Sequence, residues 1–380
     1  MNRRIQKIRI EEFRKRKAGI KKMNHFFKIF SASALMVGFA AAAVLGRGGM
    51  AESGGAVPAA AYEETTGRAV LIPCGTPFGI KMLTDGVVVT DLGDVNAAGS
   101  WLSPAEEAGV RAGDVITAVN GVAVSDSLSL SDAVQANPGE CRLSVMRDGE
   151  AIELTAVPLR SEEDGDYKLG LWTRDSCAGI GTMTFYDPAA GVFGGLGHAV
   201  SDVTTGQRLP LLSGEITAVS ITDVLKGTSG APGELCGAFV SDTETGTVMR
   251  NTDCGVFGYS DTAPILNEPI EIGYGSEVEK GKATILTTVA GMVPEEYEVE
   301  IVRIDRGRGE SVRNMTIRVT DERLLRRTGG IVQGMSGSPV IQNGRLIGAV
   351  THVLVNDSAM GYAVFIENMC GEAAMLDRAA

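Results

Sequence analysis

Beyond about residue 168 the chain is a succession of short runs cut by glycine turns, among them "GIGTMTFYD", "GTVMRNT", "CGVFGYS", "KATILTTV", "EYEVEIVRI", "MTIRVT" and "GRLIGAVTHVLV". These short runs are rich in β-branched residues that suit a pleated surface. A long amphipathic helical period is absent until "FIENMCGEAAMLDR" near the C-terminus. The pattern predicts an all-β sandwich or barrel. Glycine, at 49 of 380 residues, supplies the turns, and an apolar content of 44% supplies a packed core.

The stretch before this region carries a different order of elements. "GVVVT" (86–90) is an apolar strand. "SPAEEAGVRAGDVITAVNGVAV" (103–124) predicts a short helix from Pro104 to Ala108 ending at Gly109, then a turn at Ala112-Gly113-Asp114. A strand over Val115–Val119 and a turn at Asn120-Gly121 follow. "CRLSVMRDGEAIELTAVPL" alternates on both sides of Asp148-Gly149 and predicts a tight hairpin. This order resembles the PDZ domains of bacterial proteases. The resemblance implies a loop whose backbone N–H groups take a peptide C-terminus while the peptide adds as a strand. "GTPFGI" (75–80) is expected to be that loop, lined by Thr76, Pro77, Phe78 and Gly79.

"QGMSGSPV" (333–340) raises the question of chemistry. Serine attacks only when a base takes its proton and donors meet the developing oxyanion. Gly334 and Gly337 bracket Ser336, and the N–H groups of Gly334 and Ser336 are expected to form an oxyanion hole. A phosphate loop needs a lysine that is not there. The G-x-S-x-G pattern fails because residue 338 is serine, which is expected to bond within the turn before Pro339. The chain has 3 histidines. His25 lies in a basic N-terminal run, His198 in the glycine-rich "GGLGHAVSD", and His352 in an apolar strand that reads as packing or pocket wall. His198 is therefore the expected base. Asp202, Asp253, Asp261, Asp305 and Asp321 compete for the orienting acid.

The ends and charges set the surroundings. Residues 1–28 carry a net charge of +9, so the rest carries −21 of the total −12. An acidic body argues against nucleic acid as a partner. The uncharged "IFSASALMVGFAAAAVLG" (29–46) reads as a transmembrane anchor or a signal, with the basic 1–28 segment cytoplasmic and the rest outside. Residues 47–70 read as a linker, 71–160 as the PDZ domain and 168–380 as the catalytic unit. No C-x-x-C pair occurs among the 6 cysteines, and neither a metal nor a cofactor is expected. Cys236 and Cys254 flank an expected hairpin near Thr245-Gly246, which allows a disulfide; six free thiols are the other reading.

"GGLGHAVSD" and "VTDERLLRRTGGIVQGMSGSPVIQNGRLIGAVTHVLVND", with the PDZ unit before them, resemble the stage IV sporulation protein B family. These are membrane-associated serine peptidases of endospore-forming bacteria. "GMSGSP" also resembles the trypsin-type nucleophile loop. The resemblance implies a chymotrypsin-like double β-barrel with His198, Asp321 and Ser336 as catalytic triad. It further implies self-cleavage and cleavage of a membrane-bound regulator of an intramembrane metalloprotease, which triggers a late sigma factor. The place implied is the space between the two forespore membranes. A non-catalytic PDZ signalling scaffold and an envelope quality-control protease are the alternatives.

Overall fold

The computed structural model describes residues 68–260, 267–307 and 312–377; the basic segment, the apolar stretch 29–46 and residues 47–67 lie outside these. No helix among the described residues is long and apolar enough to cross a membrane. Strands β1 (Val70–Pro73) and β2 (Pro77–Leu92) come first. The chain then passes into a smaller unit. It consists of β3 (Val95–Ala97), β4 (Ser100–Leu102), α1 (Pro104–Glu107), β5 (Val115–Val119), β6 (Val122–Ala123), α2 (Ser127–Gln135), β7 (Cys141–Arg147), β8 (Glu150–Ala156), β9 (Leu159–Arg160) and β10 (Tyr167–Lys168). Strands β11 (Leu171–Asp187), β12 (Val192–Gly195), β13 (Leu211–Leu225), β14 (Glu234–Thr252), β15 (Gly255–Ser260) and β16 (Ile270–Glu271) follow. The last part holds β17 (Gly281–Thr287), β18 (Glu295–Ile304), β19 (Met315–Val319), α3 (Glu322–Thr328), β20 (Pro339–Gln342), β21 (Arg345–Leu354), β22 (Asp357–Phe365) and α4 (Ile366–Asp377).

The antiparallel pairings β2–β11–β12–β15–β14–β13–β2 return to their start and so close a first six-stranded barrel. A second closed barrel runs β17–β18–β19–β22–β21–β20. Each has its own apolar core, around Phe78, Met82, Phe193 and Ile216 in the first and Ile285, Ile301, Ile317 and Met335 in the second. A further cluster joins Phe185 and Phe257 to Leu346, Val364 and the apolar face of α4. The expected C-terminal helix thus seals the seam between the barrels.

The smaller unit is inserted between β2 and β11, and both strands run into it. They are 16 and 17 residues long and pair from Leu92↔Leu171 down to Pro77↔Thr182. Its local elements match the sequence expectation: α1 stops at Gly109 with a φ of 82°, and both Asn120-Gly121 and Asp148-Gly149 turn with positive φ. Helix α2, not expected from the sequence, starts with a capping box between Asp126 and Ser129.

Three sequence expectations are corrected. The catalytic unit does not begin at 168, because β1 and the first half of β2 belong to its first barrel. Thr76, Pro77, Phe78 and Gly79 are not a peptide loop. Thr76 accepts from the Met183 N–H, and Phe78 and Gly79 are paired with β11 on one edge and β13 on the other. A strand bonded on both edges has no ladder to offer a peptide. Residues 245–246 lie inside β14, so Cys236 and Cys254 sit near opposite ends of one strand and no disulfide joins them.

Phe193 is fully buried and meets Phe78 edge-on, with ring centroids 6.2 Å apart. Phe193→Ala is expected to lower the unfolding free energy by about 3–5 kcal/mol. Val122→Ala, at a side chain 64% exposed, is expected to leave it nearly unchanged. Equal denaturation midpoints for the two variants would contradict this packing.

Candidate active site

The loop that carries Ser336 lies between α3 and β20 and is fixed peptide by peptide. The carbonyl of Gln333 accepts from Leu235 N–H at 2.9 Å. That of Gly334 accepts from Thr182 Oγ1 at 2.7 Å. That of Met335 accepts from Ser338 N–H and Ser338 Oγ at 3.0 and 2.7 Å. Ser336 O accepts from Thr182 N–H at 3.0 Å, and Gly337 O from Thr184 Oγ1 at 2.8 Å. In a trans peptide the N–H points opposite to the C=O. Gln333 O is held by β14 and Met335 O by Ser338 of the same loop, so the N–H groups of Gly334 and Ser336 point away from those partners, and neither has a backbone acceptor among the described residues. Gly334 and Gly337 have φ of 93° and 96°, and a Cβ on Gly337 would overlap the Thr182 carbonyl.

Ser336 Oγ donates to Thr351 O at 2.7 Å. His198 arrives from the first barrel on a turn in which Leu196 and Gly197 both have positive φ. Leu196 N–H bonds to Thr182 O at 3.2 Å, and Gly197 packs on Val350 and Thr351. The His198 ring lies 4.7 Å, centroid to centroid, from that of His352, the residue after Thr351. The structure therefore brings Ser336, His198 and His352 to one place on the barrel seam.

The His198 Nδ1 faces the Ala199 carbonyl at 2.8 Å. A carbonyl only accepts, so Nδ1 carries the proton of the neutral ring and Nε2 is the basic nitrogen. Burial pushes the His198 pKa down, partly opposed by that hydrogen bond. His352 is pushed down to about 3, by burial first and then by the charges of His198 and Arg313.

Asp321 is placed elsewhere. It caps the N-terminus of α3: Oδ1 accepts from Arg323 N–H at 2.8 Å, and Oδ2 pairs with Arg323 Nη2 at 2.8 Å and accepts from Glu298 N–H at 3.3 Å. The Arg323 hydrogen bond is the chief reason that its pKa is held down to about 2. His352 is paired with Tyr362, and Tyr362 with Thr316. Asp321 is five residues beyond Thr316, roughly 16 Å along the chain at the rise of a strand. Asp202 does not reach His198 through its bonded oxygens either. Its buried carboxylate caps Thr204 and Thr205 and pairs with Arg174 of β11 at 3.0 Å. Asp253 pairs with Arg208 at the surface, Asp305 caps Gly307, and Asp261 lies outside the described residues.

Sequence reasoning missed Thr182 and Thr184. They are polar residues two apart in the apolar second half of β11, hence on one face, and buried at 1% and 0% exposure. That spacing was the available signal. His352, expected as packing or wall, is wall of this site.

A family model described as SpoIVB peptidase S55 matches residues 165–370, and a PDZ domain model matches residues 103–147. The zinc metalloprotease RasP of Shouchella clausii is 34% identical over 131 residues, 32% of this chain and 30% of that protein. A putative zinc metalloprotease of Clostridium acetobutylicum is 28% identical over 102 residues, 27% and 29% of the two chains. The chain thus spans about 30% of the length of these curated relatives. Among solved structures, the active form of the Rv3671c protease from M. tuberculosis has 18% identity and a TM-score of 0.31, covering 52% of this chain and 73% of that one. The HtrA-type protease AlgW with decapeptide has 13% identity and a TM-score of 0.29, covering 53% and 55%.

Two outcomes are expected. Asp321→Ala should cost about 1–2 kcal/mol of stability through the lost cap; an unchanged denaturation midpoint would count against capping. For His352 the unfolded ring takes up its proton near pH 6.5, whereas the folded one stays neutral down to about 3. The unfolded state then binds more protons below pH 6.5, so stability is lost as pH falls through that window, at up to about 1.4 kcal/mol per pH unit. Denaturation between pH 4 and 7 should be less acid-sensitive in His352→Gln than in wild type; parallel curves would refute the linkage.

Proposed function

The chain belongs to the SpoIVB peptidase S55 family and is a serine peptidase, and we propose that Ser336 is its nucleophile and His198 its general base and acid. For attack, the Ser336 hydroxyl turns from Thr351 O toward the basic Nε2 of His198. Nε2 takes the proton as Oγ bonds to the scissile carbonyl carbon, then returns it to the leaving amine. The oxyanion is met by the N–H groups of Gly334 and Ser336, a kind of contact worth about 10²–10³ in rate. The observation that carries this reading is that the N–H groups of Gly334 and Ser336 have no backbone acceptor among the described residues. In the arrangement described, Ala199 O holds the tautomer. For Asp321 to do so, as the family resemblance implies, its carboxylate must leave Arg323 and Glu298.

The PDZ unit offers a peptide edge that the sequence reading did not identify. On β11, Leu171–Arg174 pair with β2 on one side only. The other side faces α2, where Ser127 N–H bonds to Asp175 and the Ser127 hydroxyl meets Thr173 at 3.1 Å. We assign strand addition by a protein partner to this edge. On the family resemblance, the substrates are the chain itself and a membrane-bound regulator of an intramembrane metalloprotease, cleaved between the forespore membranes during spore formation. The apolar 29–46 segment supports a membrane-anchored, extracytoplasmic placement.

Ser336→Ala and His198→Ala are each expected to abolish cleavage of labelled casein and of the chain itself, read by gel and mass spectrometry. A Ser336→Ala protein that still cleaves would sink the assignment.

A further inference from the structure

We infer that Thr182 is a positioning residue for the oxyanion hole, joining the His198 turn to the Ser336 loop; this rests on the Ser336 reading. Three groups of this one residue are committed. Its N–H donates to Ser336 O at 3.0 Å, its hydroxyl donates to Gly334 O at 2.7 Å, and its carbonyl accepts Leu196 N–H at 3.2 Å. The first two hold the nucleophile loop; the third holds the turn that carries His198.

The hydroxyl has the decisive place. The two oxyanion-facing N–H groups belong to the Gln333–Gly334 and Met335–Ser336 peptides. Between them lies the Gly334–Met335 peptide, and Thr182 Oγ1 is the partner of its carbonyl. This peptide follows a glycine with a φ of 93°, a region in which glycine rotates at little cost. Without the hydroxyl, Gly334 O is left buried with no donor, which is unfavourable. Rotation of the peptide to find another donor relieves that cost and turns the flanking N–H groups with it. Thr184 makes the parallel bond to Gly337 O, beyond the two oxyanion peptides. It anchors the loop without facing the hole.

The experiment labels the full chain with a fluorophosphonate, whose phosphoryl oxygen develops charge as a peptide carbonyl does, and measures the second-order labelling rate. Wild type should label at Ser336, shown by peptide mass spectrometry and by loss of the label in Ser336→Ala. Thr182→Val, which keeps the volume and removes the donor, should label at least tenfold more slowly with an unchanged circular-dichroism spectrum. Thr182→Ser, which restores the donor, should return to within threefold of wild type. On labelled casein Thr182→Val should lose kcat with KM within about threefold of wild type. Thr182→Val labelling within twofold of wild type overturns the inference and leaves the peptidase reading intact. A wild type that does not label at Ser336 and whose turnover survives Ser336→Ala overturns both. If Thr182→Val does not fold, Thr182→Cys, with a weaker donor of similar volume, is judged by the same thresholds.

Discussion

The site depends on hydrogen bonds that cross from one barrel to the other. A serine loop rich in glycine has no conformation of its own to defend, so something outside it must choose one. Here the choice is made by β11, a strand of the first barrel, through Thr182 and Thr184. From the other side β21 completes the grip, with Val350 O taking the Gly337 N–H and Thr351 O taking the Ser336 hydroxyl. The groups that would meet substrate are held by peptide units whose other ends are buried and bonded. The reorganisation an oxyanion would otherwise demand is thereby removed in advance.

Burial shapes the acid–base side in the same way. A buried imidazole prefers to be neutral, which is the form that accepts a proton. His352 lies beside His198 and is itself held low, so a second positive charge next to the proposed base is disfavoured. The carboxylates nearest in sequence spend their charge elsewhere. Asp202 ties the His198 turn to Arg174, and Asp321 begins α3. Both have structural reasons to be aspartate, which is why residue type alone was a poor guide to the acid.

Local features were legible in the sequence because local rules decide them. The positive-φ pairs at Asn120-Gly121 and Asp148-Gly149, the end of α1 at Gly109 and the helical stretch after Phe365 follow from a few adjacent residues. The glycine bracket of Ser336 was legible for the same reason. What was not legible is long-range. "GTPFGI" looks like a loop in isolation, and only its two partners, β11 and β13, make it a central strand. The hairpin expected near Thr245 failed because β14 continues straight through it. The true extent of the first barrel was hidden by the insertion, which separates strands that pair along most of their length.

That insertion bears on how the chain reaches its fold. β2 and β11 must meet before the first barrel can close, yet the PDZ unit lies between them. As a random coil, a connection of roughly 80 residues opposes their meeting by about 4 kcal/mol of closure entropy. The PDZ unit has its own core, around Val87, Ile116, Leu143 and Val145, and its hairpins are local. Folded first, it delivers the two strand ends side by side with Leu92 opposite Leu171 and so acts as a built-in clamp for the barrel. A unit that reads as a recognition module is, on this account, also a folding nucleus for the catalytic one.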